Sequence, residues 1–256
     1  SAWSAAYFKK NGSEDSSGSE VTFAGCTIHT QRPKVDKHYS FGTFVFENVS
    51  DVTLKVSNCK ITAIRGETSE DGQLQDVIRF TTSSTDNGIT LENNDIPLDN
   101  ERPSFVYDFK SDSSDSVKVT SGTFSQPVDV SEYLAEGVVF FPNKDGTYSV
   151  GGEEAAIEAG MVATIGKTAY AALQEAVEAA GAGDTIVLVK DIEATGSVIN
   201  TTLDAQITID LNGHTIKSSN QNTAVFTIRT TKNLTITSSQ EGGAIEAAYA
   251  LLLRPK

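Results

Sequence analysis

One eight-residue phrase recurs along the chain, and it constrains the fold more than any other feature. It reads apolar, any, apolar, any, a Gly/Asn/Ser corner, two small or polar residues, apolar. Copies are VTFAGCTI from Val21, LKVSNCKI from Leu54, ITLENNDI from Ile89, VKVTSGTF from Val117 and IDLNGHTI from Ile209. A looser copy, LTITSSQEGGAI, starts at Leu234. The first four begin at 21, 54, 89 and 117, spacings of 33, 35 and 28 residues. A short β-rich phrase that recurs so often predicts a solenoid, in which each unit buries its apolar face only by stacking on its neighbours.

Positions one and three of each phrase share one face of a strand because side chains alternate. Position eight is apolar as well, yet simple alternation would put it on the other face. The chain must therefore turn between them. Position five is Gly25, Asn58, Asn93, Ser121 and Gly213, and Gly and Asn enter the left-handed backbone region at low cost. Each phrase is thus two short strands hinged at a corner, both facing one core. A further apolar strand precedes each phrase (Ala6–Phe8, Phe44–Phe46, Val77–Phe80, Phe105–Phe109). A full unit is then three strands and three turns.

Three strands per coil with Asn or Gly at one corner resembles the right-handed parallel β-helix of the pectate-lyase-like superfamily. The resemblance implies an all-β solenoid in two segments. Residues 1–127 would be the C-terminal coils of a first β-helix, and 161–256 the helix-capped start of a second. A leucine-rich repeat would need a regular Leu scaffold and a near-constant period, and the chain has neither. Between the segments, 128–160 reads as a helical turn capped by Ser131, a β-hairpin around Asp145-Gly146, and an acidic, Ala-rich linker after Gly151-Gly152. One amphipathic helix, 169–180, capped by Thr168, places Leu173, Ala176, Val177 and Ala180 on one face. It is predicted to cover the first coil of the second segment, since an open edge invites aggregation. The stretch from Gly122 to Glu154 resembles tails joining β-helix units in large surface proteins of gut bacteria. That resemblance implies a secreted or cell-surface bacterial protein of which this chain is a slice.

Charge narrows the functional classes. The formal net charge is −14, from 34 acidic and 20 basic residues. Nucleic-acid binding rests on Lys and Arg neutralising phosphates, so that class is excluded. No run approaches the roughly 18 apolar residues of a membrane span, so membrane insertion is not expected. Cys26 and Cys59 both occupy position six of their phrase. Stacked coils would set them within a disulfide's Cα range but with Cβ atoms slightly far apart, so a bonded pair and a stacked thiol pair are both open.

Enzymes of the β-helix type act on acidic polysaccharides. The polygalacturonase-like pattern needs Asn-Thr-Asp, Asp-Asp, Gly-His-Gly and Arg-Ile-Lys motifs on consecutive coils; here Gly213-His214 is followed by Thr215 and the other three are absent. The lyase pattern needs several calcium-binding aspartates and a basic group. Asp71, Asp76, Asp95, Asp99 and Asp112 lie on different coils, but no local run resembles a calcium loop. Turn aspartates such as Asp86 and Asp145 are explained as turn formers. No catalytic residue, metal ligand or cofactor is assigned. The long insertions at 29–43, 63–76 and 97–104 all follow the strand that ends a phrase, so stacking should gather them on one side. The first is basic and aromatic in an acidic chain. Long loops on one face of a repeat protein are where binding concentrates. His38, Tyr39, Arg65 and Arg102 are the candidate binding residues, with a host or microbial glycan or surface protein as the expected ligand. The expected role is a non-catalytic structural or adhesive module; the alternative is a polysaccharide lyase or glycoside hydrolase.

Overall fold

The computed structural model describes residues 4–31, 42–64, 76–80, 84, 86–96, 106–108, 117–125, 130–230 and 232–254. Strands predominate, most of them in parallel pairs. The chain divides into two compact units, Ser1–Val138 with Asn143–Gly151, and Val139–Pro142 with Gly152–Lys256.

In the first unit the chain visits three sheets in turn. One round is β1 (Ala6–Asn11), with the short β2 (Glu14–Asp15), then β3 (Glu20–Ala24) and β4 (Thr27–Gln31). The second is β5 (Gly42–Glu47), β6 (Thr53–Ser57) and β7 (Lys60–Ile64). The third is β8 (Asp76–Phe80), β9 (Gly88–Glu92) and β10 (Asn94–Ile96). The fourth is β11 (Val106–Asp108), β12 (Val117–Val119) and β13 (Gly122–Phe124). Equivalent strands pair in parallel: β1–β5–β8–β11, β3–β6–β9–β12 and β4–β7–β10–β13. The phrase positions fall in register, Val21 beside Leu54, Ile89 and Val117 in turn. The β1–β2 pair is an antiparallel exception.

Burial follows the phrase. Leu54, Val56, Ile61, Ile89, Leu91, Ile96, Val117, Val119 and Phe124 are all buried. In the first round Val21 and Phe23 are half-buried while Ile28 is buried. A phenylalanine column, Phe8, Phe46 and Phe80, runs through the core with ring centroids 4.9 and 5.1 Å apart. The corners adopt the left-handed conformation at Gly25 (φ 64°), Asn58 (φ 54°) and Asn93 (φ 50°). In the fourth round the positive φ moves from Ser121 to Gly122 (φ 143°). A Cβ there would lie 2.6 Å from the Asn94 carbonyl oxygen, so that position admits no side chain.

Two buried asparagines tie rounds together. The Val52 N–H donates to Asn87 Oδ1 at 3.0 Å, and Asn87 Nδ2 donates to the Val49 carbonyl at 3.3 Å. One corner further on, the Cys59 N–H donates to Asn94 Oδ1 at 2.9 Å and Asn94 Nδ2 to the Val56 carbonyl at 2.9 Å. Each amide thereby satisfies a donor and an acceptor that a sharp corner takes out of the sheet ladder. Cys26 and Cys59 are free thiols.

Irregular pairing follows the fourth round. A 3-10 turn at Ser131–Tyr133 carries no side-chain cap, so Ser131 does not act as the cap its position predicts. Leu134 bridges to Val119 on β12. The strands β14 (Val138–Pro142) and β15 (Tyr148–Gly152) flank a turn in which the Asn143 N–H donates to the Thr147 carbonyl at 2.8 Å. Gly146 supplies its positive φ of 86°. β15 then pairs antiparallel with β13.

In the second unit, the stretch read as a linker is partly helical. α1 (Glu153–Glu158) buries Ala156 against Phe141, Met161 and Ala169. Among the described residues there are thus two α-helices rather than one. β16 (Ala163–Ile165) and β17 (Thr168–Tyr170) pair antiparallel across Gly166. Thr168 therefore belongs to a strand and caps nothing. α2 (Leu173–Ala179) begins later than predicted, with Ala172 at its N-cap and no side-chain cap. The tight Gly166-Lys167 turn returns 168–170 onto β16, which removes those residues from the helix. α2 packs on β16, β17 and β20, burying Leu173 and Val177 in one core with Ile186 and Leu188.

Rounds resume with β18 (Thr185–Leu188), β19 (Ile192–Ala194), β20 (Ile199–Leu203), β21 (Ile207–Asp210), β22 (Thr215–Ser218), β23 (Phe226–Thr230), β24 (Leu234–Thr237), β25 (Ala244–Glu246) and β26 (Leu251–Arg254). Parallel pairing joins β18–β21–β24, β19–β22–β25 and β20–β23–β26. The corner at Asn212 (φ 47°) and Gly213 (φ 82°) is left-handed.

Candidate functional site

The three insertions that carry the predicted binding residues connect the same two sheets. They leave β4, β7 and β10, and the chain re-enters at β5, β8 and β11, which are neighbours. Their anchor points therefore stand side by side. His38, Tyr39, Arg65 and Arg102 themselves lie outside the described residues, as do Asp71, Asp99 and Asp112.

What is described beside those anchors is the outward row of the β1–β5–β8 sheet. Register places Tyr7, Val45 and Arg79 on adjacent strands, on the face opposite the Phe8–Phe46–Phe80 column. Tyr7 is 44% exposed, whereas Val45 between it and Arg79 is fully buried. The Tyr7 hydroxyl donates to the Glu47 carboxylate. Burial and then the Glu47 hydrogen bond and charge raise the Tyr7 phenol above its ordinary value, while the Arg79 charge opposes them. A neutral phenol, a carboxylate and a guanidinium thus share one patch. Such a group can offer a ring face, hydrogen-bond acceptors and a cation to a ligand.

Sequence reasoning missed Tyr7 and Glu47 because they are 40 positions apart and meet only through stacking. Their alternation to the polar side of otherwise apolar strands was the available signal.

Elsewhere the wall's charges pair across strands. Lys55 Nζ is 3.1 Å from Glu20 and Lys60 Nζ is 3.6 Å from Asp95 in the first unit; Lys217 Nζ is 3.3 Å from Glu246 in the second. Asp210, at position two of its phrase, is buried. It accepts from the Asn212 N–H at 2.9 Å and from the Ser239 N–H at 2.8 Å on the next round. Burial pushes its carboxyl up, but the hydrogen bonds from Ser239 and Asn212 outweigh it and hold it below the usual range. His214 Nδ1 stands 3.4 Å from Asp191, whose carboxylate also accepts from the Thr215 N–H at 2.9 Å. His29 points outward from β4 and is exposed. Among the described residues no cluster of three or more His, Cys, Asp or Glu is placed to hold a metal ion. None of their helices is long and apolar enough to cross a membrane. No family model, curated protein or solved structure matches the chain.

Proposed function

We propose that this chain is a non-catalytic structural or adhesive module of a large secreted or cell-surface bacterial protein. In this reading its parallel sheets form a right-handed β-helix in two segments, helix-capped at the start of the second. The stacked rounds of the first segment display a loop face that binds a host or microbial glycan or surface protein. The observation that carries the reading is the cross-strand pairing of the wall's charges. Glycosidic cleavage needs two carboxyls held roughly 5–9.5 Å apart around a sugar. Here Glu20, Asp95 and Glu246 are each engaged by a lysine on the neighbouring strand. The Tyr7–Glu47–Arg79 patch, beside the loop anchors, supports binding on that face.

The test is to screen the purified chain on glycan and protein arrays and to incubate it with polygalacturonate, alginate and glycosaminoglycans, with and without calcium. Binding that weakens at least tenfold on changing Tyr39, Arg65 or Arg102 to Ala, without sugar release, is the expected result. Release of unsaturated or reducing sugars, abolished by one Asp→Asn change on the loop face, would replace the module with a lyase or hydrolase.

A further inference from the structure

Cys26 and Cys59 occupy the same corner position on adjacent rounds. The flanking pairs are in register, Ala24 beside Ser57 and Thr27 beside Lys60. The stack is unbroken between them: the Gly25 N–H donates to the Ser57 carbonyl at 2.9 Å and the Lys60 N–H to the Cys26 carbonyl at 2.9 Å. Strand neighbours in such a stack lie about 4.8 Å apart, inside the Cα range of a disulfide. The sulfur of Cys59 already leans toward its neighbour, accepting from the Cys26 N–H at 3.4 Å. Both thiols are free, Cys26 partly exposed and Cys59 buried.

We propose that Cys26 and Cys59 form a reversible redox staple between the first two rounds, closed by exchange with a low-molecular-weight disulfide such as oxidised glutathione. The Cys26 thiolate, the accessible one, attacks a glutathione sulfur. The S–S bond of the oxidant breaks and one glutathione leaves as thiolate. The Cys59 thiolate then attacks the Cys26 sulfur of the mixed disulfide and expels the second glutathione. Two protein thiols are oxidised, the glutathione disulfide is reduced to two thiols, and the two protein protons end on the departing glutathiones. Closure needs both side chains to rotate, Cys26 away from the Ala24 carbonyl and Cys59 away from the Ser57 carbonyl, each of which the thiol now faces at 3.3 Å. In-register stacking holds the two Cβ atoms slightly farther apart than the roughly 3.8 Å a relaxed disulfide prefers. The bond therefore carries strain, and strained disulfides are the readily reduced ones. The staple is a device for hardening the first rounds under oxidising conditions and releasing them under reducing ones.

The whole chain is equilibrated in glutathione buffers from fully reduced to fully oxidised, then assayed by intact mass, by thiol titration after denaturation, and by thermal melting. The expected product is monomeric, two hydrogens lighter, without titratable thiol, and melts higher by about 5 °C. Excess reduced glutathione should reverse all three changes. Cys59→Ser should stop at a persistent glutathione adduct on Cys26, and Cys26→Ser should stay unmodified while folded. A wild-type chain that keeps both thiols, accumulates the mixed disulfide, crosslinks between molecules, or closes without a rise in melting temperature would overturn the proposal.

Discussion

The side-chain amide of Asn94 reaches back one round and accepts the backbone N–H of Cys59 at 2.9 Å, while its own nitrogen donates to the Val56 carbonyl. Asn94 is 1% exposed, so neither backbone group has water as a substitute. Replacing Asn94 by Ala strands a donor and an acceptor in the interior. Each such group costs about 1–3 kcal/mol, and we expect a total loss of about 2–4 kcal/mol in urea unfolding. A loss below about 0.5 kcal/mol would show that the amide is dispensable.

Cys59 does the same work for the round before it, but weakly, offering Cys26 a sulfur at 3.4 Å. An asparagine there can accept from the Cys26 N–H as Asn94 does from Cys59. Cys59→Asn is therefore expected to raise stability, by about 1 kcal/mol. A drop in the denaturation midpoint would mean that the pocket is too tight for the larger side chain.

Asn58 and Asn93 hold left-handed backbone at φ 54° and 50°. Their amides also touch, Asn93 Nδ2 donating to Asn58 Oδ1 at 2.7 Å. A β-branched residue at either site is strained there, and Asn58→Val should cost about 1–2 kcal/mol. Asn58→Gly should cost less, because glycine keeps the backbone and loses only the exposed amide contact. Equal melting temperatures for the two variants would argue against the backbone explanation.

Leu173 is 2% exposed beneath α2. Leu173→Ala should cost about 2–4 kcal/mol through lost burial and the cavity left behind. Hydrogen exchange should then accelerate in β16, β17 and β20, the strands that the helix covers, before it does in β23. Unchanged protection there would detach the helix from its covering role.

Asp210 has a carboxyl lowered in the folded state from an ordinary value of 3.8. Its ionised form is thus favoured by folding. The stabilisation is fully present above the unfolded value and is lost as pH falls through the lowered folded value. Asp210→Asn should lower stability at neutral pH and flatten the decline as pH falls from neutral through the ordinary carboxyl value of 3.8 and below it. Midpoints of thermal melts across that range read the difference directly; parallel curves for the two proteins would refute it.

The corner glycines and asparagines and the alternating apolar positions were legible because their causes are local: a positive φ and a period of two. The buried partners of those corners were not. Asn94 sits beside Asn93 in sequence, yet the groups it serves are 35 and 38 positions earlier, and one chain read alone gives no sign of that. α1 was read as linker because a six-residue helix with Ala156 as its one buried residue has no stripe to recognise. Thr168 looked like a cap because Thr before an Ala-rich run usually is one; the pairing with β16 prevailed. At the candidate site, the sequence pointed to loops, of which His38, Tyr39, Arg65 and Arg102 fall outside the described residues. Tyr7 and Glu47, on the neighbouring strands β1 and β5, came from stacking alone.

The asparagine clamps all reach backward, from the third round to the second, and this gives the array a direction in time. On a ribosome the second round emerges with its corner amides at Val52 and Cys59 unanswered. They stay so until residues 87 and 94 have been synthesised and have left the exit tunnel. The second round is finished only by the third, so it stays short of native until its successor has followed it out.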